Sequence, residues 1–169
     1  MSGKDLRSGM SIALLAHPGN HSNLMHAPNF IQVSGAQPPQ VLASLIGFLR
    51  VHSPFSGMQP SHLHFLAKRL RIAYYPRGSE IETSDDGATD NLYIVKQGRI
   101  AESSAASSCR RELGPGDCFV TGAAVSRSTR HARYRTLEDT FCLELERETM
   151  NKLVKTSAAF RDFYDHLAS

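Results

Sequence analysis

The feature that most constrains the fold is a long series of short, β-rich segments between residues 71 and 146. Segments such as NLYIVKQG and TFCLELER alternate in polarity or are rich in β-branched and aromatic residues. Turns containing Gly or Pro, and an acidic, polar loop at residues 83–90, separate these segments. Because the turns recur about every ten residues, the pattern indicates a sandwich or barrel rather than βαβ units.

Helical periodicity appears on both sides of this series. Apolar residues at intervals of three and four predict a helix over residues 41–49, and Pro54 ends it. A second helix is predicted to begin at Pro60. From about Glu146 a helical period returns and continues to Leu167. The predicted order is therefore helices, a run of strands, and helices.

The chain of 169 residues is long enough for one good core but not for two full domains. Residues 1–39 mix Pro, Gly, Asn, Ser and His without a period, which predicts a flexible N-terminal arm. We expect residues 40–169 to form the domain, with the strands at about 71–146 and the C-terminal helices at about 147–168.

Composition argues against several classes of function. The formal net charge is only +3, from 19 basic and 16 acidic residues, which falls short of a nucleic-acid-binding surface. The densest basic run, residues 127–135, has four arginines and a histidine without an acid, and could hold an anion. Three cysteines without CxxC spacing favour neither zinc nor a disulfide framework. We expect a cytoplasmic protein without a signal peptide or membrane span.

Neither a metal site nor an active site is predicted. His62 and His64 lie two residues apart on a predicted helix, so they face different directions and lack further ligands. Cys118 follows Asp117 and has no basic activator nearby in sequence, which is typical of a small buried cysteine. Nucleophile-elbow, P-loop and dinucleotide motifs are missing from the sequence, so we do not expect an enzyme.

Four motifs, in order, are YPRGSEI at residues 75–81, LYIVKQGRI at 92–100, LGPGDCF at 113–119 and LEDTFCLEL at 137–145. Together they resemble the cyclic-nucleotide-binding domain family over roughly residues 54–169. The resemblance implies a mainly β, double-stranded β-helix (jelly-roll-like) with flanking N- and C-terminal helices. It also implies a regulatory, ligand-sensing role in signal transduction. Asp139, beside Glu138, matches a family position at which an aspartate holds a turn.

In binding-competent members, a cassette of the form F-G-E-x-A-L, followed by an arginine and a small residue, surrounds the ligand. Its acid accepts a hydrogen bond from the ribose 2′-hydroxyl, and its arginine pairs with the cyclic phosphate. On this chain the cassette corresponds to residues 119–132, with Arg127 and Arg133 also nearby in sequence. The resemblance assigns ligand contacts to Phe119, Thr121, Gly122, Ala123, Ala124, Arg130, His131 and Ala132.

The cassette departs from the family pattern at two positions. Val120 replaces the glycine, and Thr121 replaces the acid. A charge-assisted hydrogen bond contributes about 1.5–3 kcal/mol, so its loss weakens binding by roughly one to two decades. The expected ligand is a cyclic nucleotide or another small anion, held between the cassette and the strand pair at 92–100. No other cofactor is expected.

Two interpretations of the whole chain remain. The DCF and EDTFCLEL endings are similar to the leading domain of bacterial proteins that also contain CBS and nucleotidyltransferase domains, which implies neighbouring domains in a longer regulator. The alternative is a ligand-independent interaction or dimerisation module, favoured by helix 41–49, which a roll does not need for its own core. DNA binding is not expected, because no helix-turn-helix domain follows before Ser169.

Overall fold

A computed structural model describes residues 29–31, 38–81, 91–104, 107–121 and 132–167. The helices are α1 Pro39–Arg50, α2 Pro60–Ala67, α3 Arg147–Thr156 and α4 Ala158–Leu167, with a short 3-10 helix at Phe55–Gly57. The strands are β1 Asn29–Ile31, β2 Arg71–Tyr75, β3 Glu80–Ile81, β4 Asn91–Gln97, β5 Ile100–Ser104, β6 Ser107–Leu113, β7 Cys118–Val120, β8 Ala132–Thr136 and β9 Thr140–Glu146. The predicted order of helices, strands and helices is confirmed.

The described strands form two antiparallel sheets. The five-stranded sheet has the order β1-β2-β9-β4-β7, and the four-stranded sheet has the order β3-β8-β5-β6. This arrangement confirms the mainly β roll with flanking helices. Strand β1 lies within the proposed arm, where the sequence predicts no strand, and it pairs with β2 in a register that sets Phe30 opposite Ala73.

Apolar side chains fill two separate cores, one on each face of the five-stranded sheet. The roll interior lies between the two sheets and is formed by Ala73, Tyr75, Ile81, Tyr93, Val95, Ile100, Leu113, Phe119, Ala132, Tyr134 and Cys142. The helix-side core lies between the five-stranded sheet and the helices, and includes Leu92, Ile94, Leu143 and Leu145 from the sheet. Both faces of β4 and β9 are therefore buried.

Helix α1 belongs to the helix-side core. Leu45 and Leu49 are 1% and 0% exposed, and they pack in the same cluster as Met150 and Phe160 of α3 and α4. The roll interior contains no residue of α1, but the helix-side core of the same domain includes this helix, so the inference that its apolar face is free for an interface is wrong. The physical reason is that the outer face of the five-stranded sheet is itself apolar and must be covered.

The turns that connect the strands depend on a few specific residues. Gly78, Gly98 and Gly116 all have positive φ, at 84°, 99° and 93°. At Gly98 a Cβ atom would also lie 2.5 Å from Thr140 Oγ1 and 2.8 Å from the Asp139 carbonyl oxygen, so this turn requires glycine. The Asp139 carboxylate accepts a hydrogen bond from the Arg77 amide at 3.0 Å, which is the turn-holding role expected of it.

Candidate ligand site in the roll

The predicted cassette runs from one sheet to the other. Phe119 lies in β7 of the five-stranded sheet, and Ala132 begins β8 of the four-stranded sheet. Both side chains are buried in the roll interior, at 3% and 1% exposure. Five of the predicted ligand residues, Gly122, Ala123, Ala124, Arg130 and His131, lie outside the described residues. The structure thus places the two ends of the cassette in the interior of the roll.

Thr121, at the family's acid position, comes directly after β7. It is 1% exposed, and its amide donates a hydrogen bond to the Asn91 carbonyl oxygen at 3.1 Å. The side chain at this position is therefore enclosed by the protein rather than displayed at the surface. A neutral hydroxyl group is compatible with such burial, whereas an unpaired carboxylate there would be costly.

Three aromatic rings connect the two sheets inside the roll. Phe119 stacks on Tyr93 of β4 with centroids 4.9 Å apart, and on Tyr134 of β8 with centroids 4.1 Å apart. Aromatic pairs at such distances add to the stabilisation from buried area. Phe119, the first residue of the cassette, is therefore packed between a ring of each sheet, which restricts its position.

A carboxyl group, Glu144 of β9, also lies in the buried wall of the five-stranded sheet. It is 1% exposed, and its Oε1 atom accepts a hydrogen bond from the Tyr75 hydroxyl at 2.8 Å. Burial raises the pKa of Glu144, while Tyr75 and the positive charge of Arg71 oppose the rise. Burial also raises the pKa of Tyr93 to about 12. Glu144 is not among the residues predicted from the sequence, although a single acid between two leucines in a strand can indicate a buried carboxyl group.

A second polar group lies on the four-stranded sheet. The Tyr134 hydroxyl donates to Glu102 Oε1 at 3.2 Å, and Glu102 is the register partner of Arg111 on β6. The pKa of Tyr134 is raised, chiefly by burial and then by the charge of Glu102. Tyr134 lies two residues after Ala132, so these polar side chains are close to the end of the cassette. They can donate to or accept from a ligand in the roll.

Val120 connects the cassette to the helices. Its side chain is 5% exposed and belongs to the helix-side core, together with Met150 and Leu153 of α3. Where the family has a glycine, this chain therefore has a valine whose side chain is buried in the helix-side core. A movement of the strand end at Val120 would disturb the packing of α3.

The described thiols are not reactive groups. Cys118 is 6% exposed, and burial followed by the charge of Asp117 raises the pKa of its thiol far above neutrality. Burial raises the pKa of Cys142 to about 12. Thiols that stay protonated at neutral pH are poor nucleophiles and metal ligands. Across the described ranges, no three His, Cys, Asp or Glu residues group closely enough to hold a metal ion, and no helix could cross a membrane.

Arg133, which the sequence places near Arg130, does not face the roll interior. Along β8, Ala132, Tyr134 and Thr136 are buried, whereas Arg133 and Arg135 are exposed. Since side chains alternate along a strand, both arginines project from the outer face of the four-stranded sheet. The two described arginines of the basic run at residues 127–135, Arg133 and Arg135, therefore lie on the outer face of the sheet and not in the roll interior.

Two antiparallel sheets with a buried interior between them, and helices over the outer face of one sheet, define a β-roll domain. The sequence matches the cyclic nucleotide-binding domain family over residues 72–157, just over half of the chain. The chain belongs to this family, whose domains are regulatory rather than catalytic. No curated protein sequence matches the chain significantly.

Two solved structures share the fold. One is cAMP-bound PfPKA-R, 18% identical with a TM-score of 0.58, covering 72% of this chain and 44% of that one. The other is the regulatory domain of Toxoplasma gondii PKA with cAMP, 18% identical with a TM-score of 0.59, covering 75% of this chain and 49% of that one. The chain thus spans less than half the length of either structure.

Proposed function

We propose that this domain is a ligand-sensing regulatory module whose ligand binds inside the roll, against the cassette at residues 119–132. The observation that carries the proposal is the position of the cassette ends. Phe119, Thr121 and Ala132 are all buried, and the segment between them joins the two sheets. A ligand held by this segment would contact both sheets at once.

A cyclic nucleotide, or another small anion of similar shape, is the proposed ligand. The family assignment and the two cAMP-bound relatives support this class. Arg130 would supply the positive charge, and Thr121 would offer a hydroxyl group where the family has an acid. Because Thr121 lacks the charged acceptor that the family's acid provides, we expect weaker binding than in members with an intact cassette.

The proposed output runs through the C-terminal helices. Val120 shares the helix-side core with Met150, Leu153 and Phe160, so a ligand that displaces the cassette would also displace α3 and α4. These helices would pass the change to neighbouring domains of a longer protein. Cys118 and Cys142 are free thiols, which fits a reducing, cytoplasmic setting. Neither catalysis nor DNA binding is part of the proposal.

The rival proposal, a ligand-independent dimerisation module, loses its main support. It depended on α1 having an apolar face to spare, but Leu45 and Leu49 are buried in the chain's own core. Val51, at 75% exposure, is the one large apolar side chain near α1 that is mostly exposed among the described residues. A single exposed valine does not make an interface.

The proposal is tested by titrating the protein calorimetrically with cyclic AMP and with cyclic GMP. We expect one site per chain, with binding weakened about tenfold or more in Arg130→Gln, because a charge-assisted phosphate contact is lost. Arg50→Gln, on the exposed end of α1, is the matched control and should bind like the unmodified protein. Absence of heat at millimolar ligand, or equal losses in both variants, would contradict the proposal.

A further inference from the structure

A second concave surface lies on the outer face of the four-stranded sheet. It encloses about 400 Å³, and its floor is formed by small side chains, including Ala101 and Ser103 of β5. The roll interior is on the opposite face, where Ile100 and Tyr134 are buried. Small residues on the middle strand, with long ones on the strands beside it, make this face concave.

Arginines surround the floor. Arg133 on β8 and Arg110 on β6 are both register partners of Ser103, and Arg135 is the partner of Ala101. Since neighbouring strands are about 4.8 Å apart, the backbones of Arg110 and Arg133 lie about 10 Å apart across the floor. Arg135 follows about 7 Å along β8. Arg77, from the turn after β2, completes the lining.

The positive charge of this surface is only partly balanced within the described part of the chain. Glu80, the register partner of Arg135, is the one acid among the lining residues, and none of the four guanidinium groups forms an ion pair within 4.0 Å with a described carboxylate. The nearby Glu112 is paired with Arg99 at 3.7 Å instead. Four arginines and one acid leave this surface with a net positive charge, which attracts an anion because unlike charges attract.

We infer that this depression is a binding site for a small molecule carrying a phosphate group with two or more negative charges. Guanidinium groups bind phosphate oxygens in a planar, bidentate manner. Arg110, Arg133 and Arg135 surround Ser103 and Ala101, so together they can bind one diphosphate. The volume exceeds that of a single phosphate ion, and Leu137, 39% exposed, gives the site an apolar edge. The site is separate from the proposed site inside the roll, since the sheet lies between them.

The test uses inorganic pyrophosphate as the probe, with inorganic phosphate and adenosine monophosphate as further arms, at low ionic strength. We expect saturable pyrophosphate binding that weakens about tenfold or more in the double variant Arg133→Gln/Arg135→Gln. As the control, Arg50→Gln/Lys68→Gln removes two positive charges at exposed positions outside the depression, and it should bind within about twofold of the unmodified protein. Arg130→Gln should also leave pyrophosphate binding unchanged, which separates this site from the one inside the roll. Tighter binding of the monophosphate than of phosphate would indicate that the apolar edge takes part.

Amide chemical shifts of the unmodified protein give a readout that does not depend on folding of the variants. Pyrophosphate should shift the amides of Gly78 and Ser103 and leave those of Tyr93 and Phe119 in place. The inference is overturned if shifts concentrate at Tyr93 and Phe119, if no saturable binding occurs at low millimolar pyrophosphate, or if the double variant binds as well as the control. Preference for a poly-glutamate peptide over pyrophosphate would also overturn it, because the occupant would then be an acidic protein segment.

Discussion

At the scale of single residues, Glu144 is a buried carboxyl group whose surroundings should affect the stability of the domain. It lies in a strand whose neighbours Leu143 and Leu145 point into the helix-side core, while its own carboxyl group is directed to the other face and bonded to Tyr75. Burial makes the charged form of this carboxyl group less favourable in the folded than in the unfolded state. The stability of the domain should therefore depend on pH through this residue.

The sign of that dependence follows from the raised pKa of Glu144. Its contribution to stability is fully present below the ordinary glutamate pKa, and it is lost as pH rises through the folded-state pKa, because the unfolded state releases the proton first. We expect Glu144→Gln, which keeps an acceptor for Tyr75, to stabilise the domain relative to the unmodified protein at neutral pH and to flatten the pH profile. Melting temperatures measured between pH 4 and 8 test this.

Glu148→Gln is the control, because the contribution of Glu148 to stability should change with pH in the opposite direction. The pKa of Glu148 is lowered, first by its hydrogen bond with Lys152, so its contribution is present at neutral pH and lost as pH falls. This carboxyl group is exposed, and its effect should be small. An unchanged pH slope in Glu144→Gln would contradict the role given to Glu144.

Sequence motifs predicted candidate site residues but could not orient all of them. The LGPGDCF motif pointed to Phe119, and alignment of the cassette pointed to Thr121 and Ala132; the structure buries all three side chains, and their contact with a ligand stays a prediction. Arg133 could not be assigned from proximity in the sequence, because one residue of strand register decides between the two faces of a sheet. Glu144 was missed because its partner Tyr75 is distant in sequence and comes near only through the pairing of β2 with β9.

At the scale of elements, periodicity predicted most of the secondary structure but not its burial. The starts of α1 and α2 at prolines and the glycine turns between strands follow from local rules, and the structure has them. The three-residue strand β1 has no pattern of its own, and its pairing partner, β2, lies about forty residues further along the chain, which local sequence rules cannot predict. Likewise, the sequence of α1 shows an apolar face but does not show what covers it.

The role of α1 can be tested by comparing two alanine substitutions near its C-terminal end. Leu49→Ala should lower the free energy of unfolding by about 2–5 kcal/mol, because Leu49 is fully buried among helices and sheet. Val51→Ala, at a residue 75% exposed, should change it by less than about 0.5 kcal/mol. Urea unfolding followed by circular dichroism measures both. If Leu49→Ala instead left stability intact and dissociated a dimer, α1 would be an interface.

At the scale of the whole molecule, the two sheets and the helices form three layers with different tasks. The roll interior contains the two ends of the cassette, Phe119 and Ala132, the helix-side core contains Val120 together with residues of α3 and α4, and the outer face of the four-stranded sheet presents arginines. If both proposals hold, the sheet between the two sites would allow the two ligands to bind independently. The ordered motifs predicted the fold, which depends on many residues, whereas the identity of a ligand would depend on single side chains such as Thr121.

The most direct test of the ligand-sensing account is a calorimetric titration of Thr121→Glu with cyclic AMP, with Thr121→Gln as a control of equal size. The account predicts that the glutamate variant binds about ten- to a hundredfold more tightly than the glutamine variant, since only glutamate restores the charged acceptor for a ribose hydroxyl. Without ligand it should also be less stable, because a carboxylate is then buried unpaired. Equal affinity of the two variants for cyclic AMP would contradict the assignment of residues 119–132 as the ligand-binding cassette.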